Sequence, residues 1–293
     1  MNGIRTYLLL TVLLFGTGCI SEDLSGCSRG YRLEMSYLGD GTEELFSAKI
    51  GHVVMYVFDE TDSCVESREA TSSELAVRTL TLADYPAGRY RVVCVGNARN
   101  TAISDPGDIS RGEMRFADPG WFSGERISTN DSLYHAVTDI TVTGGRSGRG
   151  TLGFASSHYK IYAEVSGFDP ETTRAGLPQL EMHGVLPATD FENQACEEPV
   201  TYYLTTTPYD ASKRMISSQT NIMRSIGDDT ELELLDASGN HLASVHLPTF
   251  LAEHEEIDLT KNEVLIPIAF RFKEAAVEIT VPDWYVEEVK PEI

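Results

Sequence analysis

The chain has 293 residues, of which 41% are hydrophobic and 23% charged, and a formal net charge of −22. That length and mixture suit two ordinary globular domains with real cores. A body this acidic repels nucleic acid and anionic lipid, so neither is an expected partner.

The most specific local signal lies at the start. Arg5 supplies a positive flank, Tyr7–Phe15 a short apolar run, and Gly16-Thr17-Gly18 small residues directly before Cys19. This is the layout of a secretory signal, too short to span a bilayer comfortably. The cysteine after the small residues reads as a lipidation site. Residues 1–18 are then a signal peptide, and Cys19 becomes the mature N-terminus carrying lipid. Several acyl chains on one residue hold a protein stably, where one alone is marginal. Residues 19–30 are small and polar and read as a lipidated tether.

From there the chain reads as short strands. Tyr31–Leu38 alternates loosely, and Glu43–Ile50 holds one or two helical turns. His52–Asp59 is rich in β-branched and aromatic residues and reads as a strong strand. Leu75–Leu82 is a further strand candidate, and Asp84–Gly88 a turn that launches the strand Arg89–Gly96. In that strand Tyr90, Val92 and Cys94 share one face. Residues 101–132 show no clean period and read as a long surface loop. Ser132–Ala136 returns to order, and Asp139–Thr143 is a strand. Gly144–Gly150 is rich in glycine but lacks the order of a phosphate-binding loop, so it reads as a linker or hairpin. Beyond it, strands are expected at Thr151–Ala155, Tyr159–Ser166, Gln179–Val185, Val200–Thr206, Thr230–Leu235, Ala243–Leu247, Val264–Phe272 and Ala276–Val281. Many short strands with turn signals and almost no helical period argue for all-β sandwiches. At this length two are expected, divided near the glycine-rich segment: residues 31–148 and 149–293.

Little in the sequence points to chemistry. Seven histidines are scattered, and none has a second histidine at the spacing of a zinc-protease helix. The G-x-S-x-G elbow is missing as well. No catalytic residue, metal site or cofactor is expected. Cys27, Cys64, Cys94 and Cys196 remain beside the lipidated cysteine, and four thiols in an oxidising compartment allow three pairings. Their spacings favour none, and Cys94 also suits a buried free thiol. An alternative function is glycan binding, with Trp121 of the 101–132 loop as a stacking platform.

One family fits a series of segments in order. They are Cys19–Cys27, Val53–Asp59, Tyr85–Asn97, Leu133–Ala136, Lys160–Gly167 and Val277–Trp284. Together they resemble the anchor and minor-subunit lipoproteins of the Bacteroidetes fimbrillin type. The family usually has an aromatic residue where Val95 stands here. The resemblance implies two tandem transthyretin-like β-sandwiches, no catalysis, and a lipid-anchored place on the outer membrane at the cell surface. It also implies other fimbrial subunits as partners, joined by β-strand donation. The ligand of such a fimbrium, on a host or another bacterium, is left open. Within this frame the C-terminal segment is the candidate donor: Tyr285 and Val289 fall on one side of an extended chain and Val286 on the other, and Pro291 limits its depth.

Overall fold

The computed structural model describes residues 30–143, 147–168, 170, 176–273 and 276–285. Cys19, Cys27 and the tether up to Arg29 lie outside the described residues, as do Val286 and Val289, and Gly30, the last residue of the expected tether, opens the first strand.

The first half holds strands β1 (Gly30–Ser36), β2 (Val53–Phe58), β3 (Cys64–Glu69), β4 (Thr79–Ala83), β5 (Gly88–Gly96), β6 (Ala102–Ile103), β7 (Phe116–Ala117), β8 (Tyr134–Val142), β9 (Gly148–Gly153) and β10 (Ala155–Ser156). Helices α1 (Phe46–Lys49), α2 (Ser72–Val77) and α3 (Pro119–Ser123) are short. A three-stranded sheet, β4-β1-β9, packs against a five-stranded one, β10-β8-β5-β2-β3. Leu33, Met55, Val92, Cys94 and Leu152 meet between them. The strand β2 reads Val-Val-Met-Tyr-Val-Phe because both of its faces are covered. Met55 and Val57 point into the sandwich, while Tyr56 and Phe58 enter a second cluster on the outside of the sheet.

The second half holds β11 (His158–Ser166), β12 (Gln179–Val185), β13 (Ala188–Thr189), β14 (Ala195–Cys196), β15 (Val200–Leu204), β16 (Met215–Met223), β17 (Glu231–Leu235), β18 (His241–His246), β19 (Leu265–Phe272) and β20 (Val277–Thr280), with helix α4 (Leu247–Glu253). Two four-stranded sheets, β16-β11-β19-β20 and β15-β12-β17-β18, enclose Ile161, Val165, Met182, Tyr202, Leu232 and Ile266. The architecture is therefore all-β, with two β-sandwiches in tandem.

Several elements differ from the sequence reading, each for a local reason. Leu75–Leu82 is not one strand. Thr71 and Glu74 form a capping box that starts α2, and Arg78 at φ 51° turns the chain into β4. Residues 101–132 carry β6, β7 and α3. The glycine-rich stretch ends in β9, which pairs in parallel with β1 from Tyr31↔Gly148 to Ser36↔Gly153. A cut at 148/149 would thus run through a strand of the first sandwich; β10 pairs with β8 of that sandwich too, so the passage between halves falls between Ser156 and His158. At the start of β9 a glycine lets the strands approach, since a Cβ on Gly148 would lie 2.2 Å from the Tyr31 ring. Cys64, Cys94 and Cys196 are all free thiols, Cys94 fully buried.

The halves are interlocked. A four-stranded sheet, β14-β13-β7-β6, takes two strands from each. Phe191 of the second half is fully buried against Tyr56, Phe58 and Phe116 of the first, edge-on at 5.0, 4.9 and 4.8 Å. Beneath this, Glu263 accepts hydrogen bonds from Tyr37 Oη at 2.5 Å and Tyr134 Oη at 3.1 Å, and pairs with Lys49 Nζ at 3.0 Å. Asp40 accepts from the N–H groups of Asn262 at 2.8 Å and Glu263 at 3.2 Å.

Candidate functional site

A protein that joins others through β-strands does so at sheet edges, where backbone N–H and C=O groups lack partners. Three of the sides of the two sandwiches show how such edges are treated in this molecule.

On the first sandwich, the β3–β4 side is closed by side chains. The ladder with β1 turns the Thr81 N–H and C=O outward. Glu74 accepts from Thr81 N–H at 3.2 Å, and Arg68 Nη2 donates to Thr81 O at 3.3 Å. Arg68 and Glu74 hold each other at 2.8 Å. Burial disfavours the Glu74 carboxylate, but Arg68 and the N–H groups of Thr71 and Thr81 outweigh it and pull its pKa down to about 2. An incoming strand would have to break a charged, desolvated pair.

On the second sandwich, the β15–β16 side is closed by a strap from the first half. Tyr203 N–H donates to Ile127 O at 2.8 Å, Asn130 N–H to Asn221 O at 2.9 Å, and Asn130 Nδ2 to Tyr202 Oη at 2.7 Å. Trp121 lies just before this strap, partly buried against the second core and 4.8 Å from the Phe122 ring. It serves packing there.

The β18–β20 side of the second sandwich is covered by none of the described residues. Leu247 N–H bonds Thr230 O at 2.9 Å, so the paired positions of β17 and β18 are 232–245 and 234–243, and Ser244 faces away from its neighbour. The Ser244 backbone groups have no partner among the described residues. Beside it, β20 covers only Ala269–Phe272 of β19. Two residues further along that register Pro282 would oppose Pro267, and neither has an N–H to give, so the ladder stops. The chain then folds back: Trp284 lies 5.4 Å edge-on to Tyr162, and Tyr285 packs against the second core. Of the expected donor residues, Tyr285 thus touches its own half.

Among the described residues no group of three His, Cys, Asp or Glu could hold a metal ion. His183 and His241 share the two oxygens of Glu233 at 2.9 and 2.8 Å, while His135 and His158 are buried on backbone carbonyls of Phe191 and Leu133. No helix among the described residues is long and apolar enough to cross a membrane.

Two sandwiches that exchange segments, with two sides closed and a third without backbone partners among the described residues, define a tandem β-sandwich protein. The chain belongs to the family of fimbrillin-A associated anchor proteins Mfa1 and Mfa2, whose model matches residues 24–290. It is a cell-surface fimbrial accessory type, associated with other fimbrial subunits. The fold is shared with the fimbrial anchor protein Mfa2 from Porphyromonas gingivalis, at 13% identity and a TM-score of 0.68 over 88% of this chain and 98% of that one. A Bacteroides ovatus protein described as a candidate adhesin matches at 16% and 0.70 over 88% and 94%. A Bacteroides thetaiotaomicron protein described as a candidate polysaccharide-binding protein matches at 16% and 0.69 over 87% and 96%. No curated protein sequence matches the chain.

Proposed function

We propose that the protein is the anchor or an accessory subunit of a fimbrium, tethered to the outer membrane by lipid on Cys19. It joins the next subunit at the β18–β20 side, where the C-terminal segment that follows Tyr285, with Val286 and Val289, donates a strand. The observation that carries this reading is the end of β20: its ladder stops where Pro282 would oppose Pro267, so the chain leaves the sandwich at this side, whereas the other two sheet-edge sides described above are capped by Arg68 and Glu74 or strapped by residues 127–130. The direction of the chain supports it. β1 starts at Gly30 and leads to Tyr37, which meets Glu263, so the second sandwich stands beyond the first as counted from the tether. No catalytic role is part of this reading.

The test is co-purification of fibre subunits from detergent-extracted outer membranes. Deleting residues 286–293 should abolish it, while Ser244→Pro should leave it intact. Loss with Ser244→Pro alone would make this chain the strand acceptor and overturn donation. Survival of both variants would move the coupling surface elsewhere. Cys19→Ala should remove the protein from the membrane fraction, and normal partition of that variant would reject the lipid tether.

A further inference from the structure

Charge is spread unevenly over this acidic molecule. From Asp228 to Asp258 in the second half there are nine carboxylates and no lysine or arginine. The outer face of the three-stranded sheet β4-β1-β9 is different. Leu33 and Met35 point into the sandwich, so Arg32 and Glu34 point out of it. Across the sheet the register sets Arg32 beside Arg149 of β9 and Thr81 of β4, and Glu34 beside Thr151 and Thr79. We propose that this face docks on the phosphate groups of an anionic lipid surface.

Arg32 and Arg149 are both exposed, and neither side chain has a partner among the described residues. The nearby carboxylates are taken: Glu34 turns to Arg78 at 3.8 Å, and Glu74 is held by Arg68 at 2.8 Å. Like charges on adjacent strands, about 4.8 Å apart, repel each other, and an anion set between them removes that cost. A guanidinium is a planar fork that fits phosphate oxygens. The platform is rigid, because β1 is paired on both sides. The Tyr31 ring lies where Gly148 and Gly150 have no side chains, and its hydroxyl donates to Arg149 O at 3.0 Å. Between the arginines and Glu34 the face carries only short side chains, so nothing bulky holds a flat surface away. At its rim Val77 of α2 is 68% exposed, more than any other large apolar side chain described, and it shares a depression of about 350 Å³ with Arg32 and Thr81. An apolar tip beside cations is what enters the boundary between headgroups and acyl chains.

The net charge of −22 opposes such a surface at long range. At physiological salt that field fades beyond about 8 Å, so the groups nearest the lipid decide. Position adds to the charge match. Cys19 precedes Gly30 by eleven positions, and Gly30 opens the strand that carries Arg32, so extended chain keeps the face within about 40 Å of the lipid. A weak site held that close works at high effective concentration. This step rests on the lipid reading; the charge match does not.

The experiment uses the whole mature chain, residues 19–293, with Cys19→Ala so that no acyl chain contributes, and reads flotation with vesicles. The probes are vesicles of phosphatidylcholine alone and of phosphatidylcholine with about one third phosphatidylglycerol. The chain should float with the anionic vesicles and not with the neutral ones, and about 0.5 M salt should release it. Each arginine at an anionic surface contributes roughly fivefold, so Arg32→Gln with Arg149→Gln should weaken binding about tenfold or more. Glu34→Gln takes a negative charge off the same face and should strengthen binding several-fold, a gain that no folding defect produces. Lys213→Gln with Lys273→Gln removes the same charge from exposed positions of the second half and should leave binding within about twofold. Failure to float with the anionic vesicles, equal binding to both vesicle types, or equal weakening by the lysine and arginine pairs would overturn the proposal. So would self-association without vesicles that the arginine pair abolishes, since that assigns the face to the acidic flank of a second copy. The lipid reading fails or stands separately: in about 0.5 M salt a lipidated chain stays on membranes, whereas docking alone is released.

Discussion

Replacing Glu263 with Ala tests whether the two sandwiches are welded or merely adjacent. The carboxylate holds the hydroxyls of Tyr37 and Tyr134, which are 0% and 3% exposed, together with Lys49. Removing it strands two buried hydroxyls, each costing about 1–3 kcal/mol when left unsatisfied. The Lys49 pair adds little, because that side chain is 40% exposed and such pairs contribute about 0–1 kcal/mol. The expected loss is therefore roughly 2–6 kcal/mol at neutral pH, read by urea unfolding followed through tryptophan fluorescence. Lys49→Ala should cost less than about 1 kcal/mol. Combining Glu263→Leu with Tyr37→Phe and Tyr134→Phe should recover much of the loss, since no polar group is then left alone. The dependence on pH has a definite sign. Burial opposes the Glu263 charge, but Tyr37 and Lys49 outweigh it, so its folded pKa lies below the ordinary 4.5. A depressed carboxylate stabilises the fold above its unfolded pKa and loses that contribution as pH falls through the folded one. A Glu263→Ala protein within about 0.5 kcal/mol of wild type would refute the welded joint.

Phe191→Ala removes a fully buried ring from three aromatic neighbours and should cost about 3–5 kcal/mol in the same denaturant titration. Gly148→Ala forces a methyl into the Tyr31 ring and should lower stability by about 1–3 kcal/mol; Tyr31→Ala in the same chain should give part of that back in thermal unfolding. Glu74→Gln should flatten the acid limb of the stability curve. The wild-type carboxyl, held at about 2 against an ordinary 4.5, contributes fully above 4.5 and loses that contribution as pH falls toward 2, which circular dichroism across that range would record.

What the sequence made legible follows from how each segment is covered. The run Val53–Phe58 announced itself because burial on two faces demands apolar residues throughout. The strand β16 was hidden because its inward positions are Ile216, Ser218, Thr220 and Ile222. The two hydroxyls there are buried yet bonded to Thr205 O and Ser128 O, so half of the alternation is polar. β3 was hidden by its charges, Glu66, Arg68 and Glu69, which belong to an edge strand. Residues 101–132 looked structureless because their order comes from the other half: Ala188 and Thr189 pair with Ala117 and Phe116, and Asn221 with Asn130. The final strand was visible as Val277, Ile279 and Val281, and β20 occupies all but the last of these. Which side of the sandwich stays uncovered was not visible, because it depends on distant contacts: Arg68 reaching Thr81, and Ile127 reaching Tyr203.

The exchange of segments bears on how such a subunit carries load. Any force applied between Gly30 and the β18–β20 side must cross the joint between the halves. Tandem domains linked by a single strand of chain would swing or peel there. Here the crossing is made at several places: the shared sheet through β7 and β13, the strap on β15 and β16, Phe191 in its aromatic socket, and Glu263 beneath Tyr37 and Tyr134. The strap and the Phe191 loop run in opposite senses, one reaching forward from the first half and the other back from the second. Separation therefore breaks both at once, and exposes the aromatic outer face of β2 along with the edge of β15. Neither half covers its own surface. The outer face of the first sheet needs Phe191 and Met223, and the edge of the second sandwich needs Ile127 and Asn130. The two sandwiches thus behave as one unit, since each lacks the cover for a surface that the other supplies.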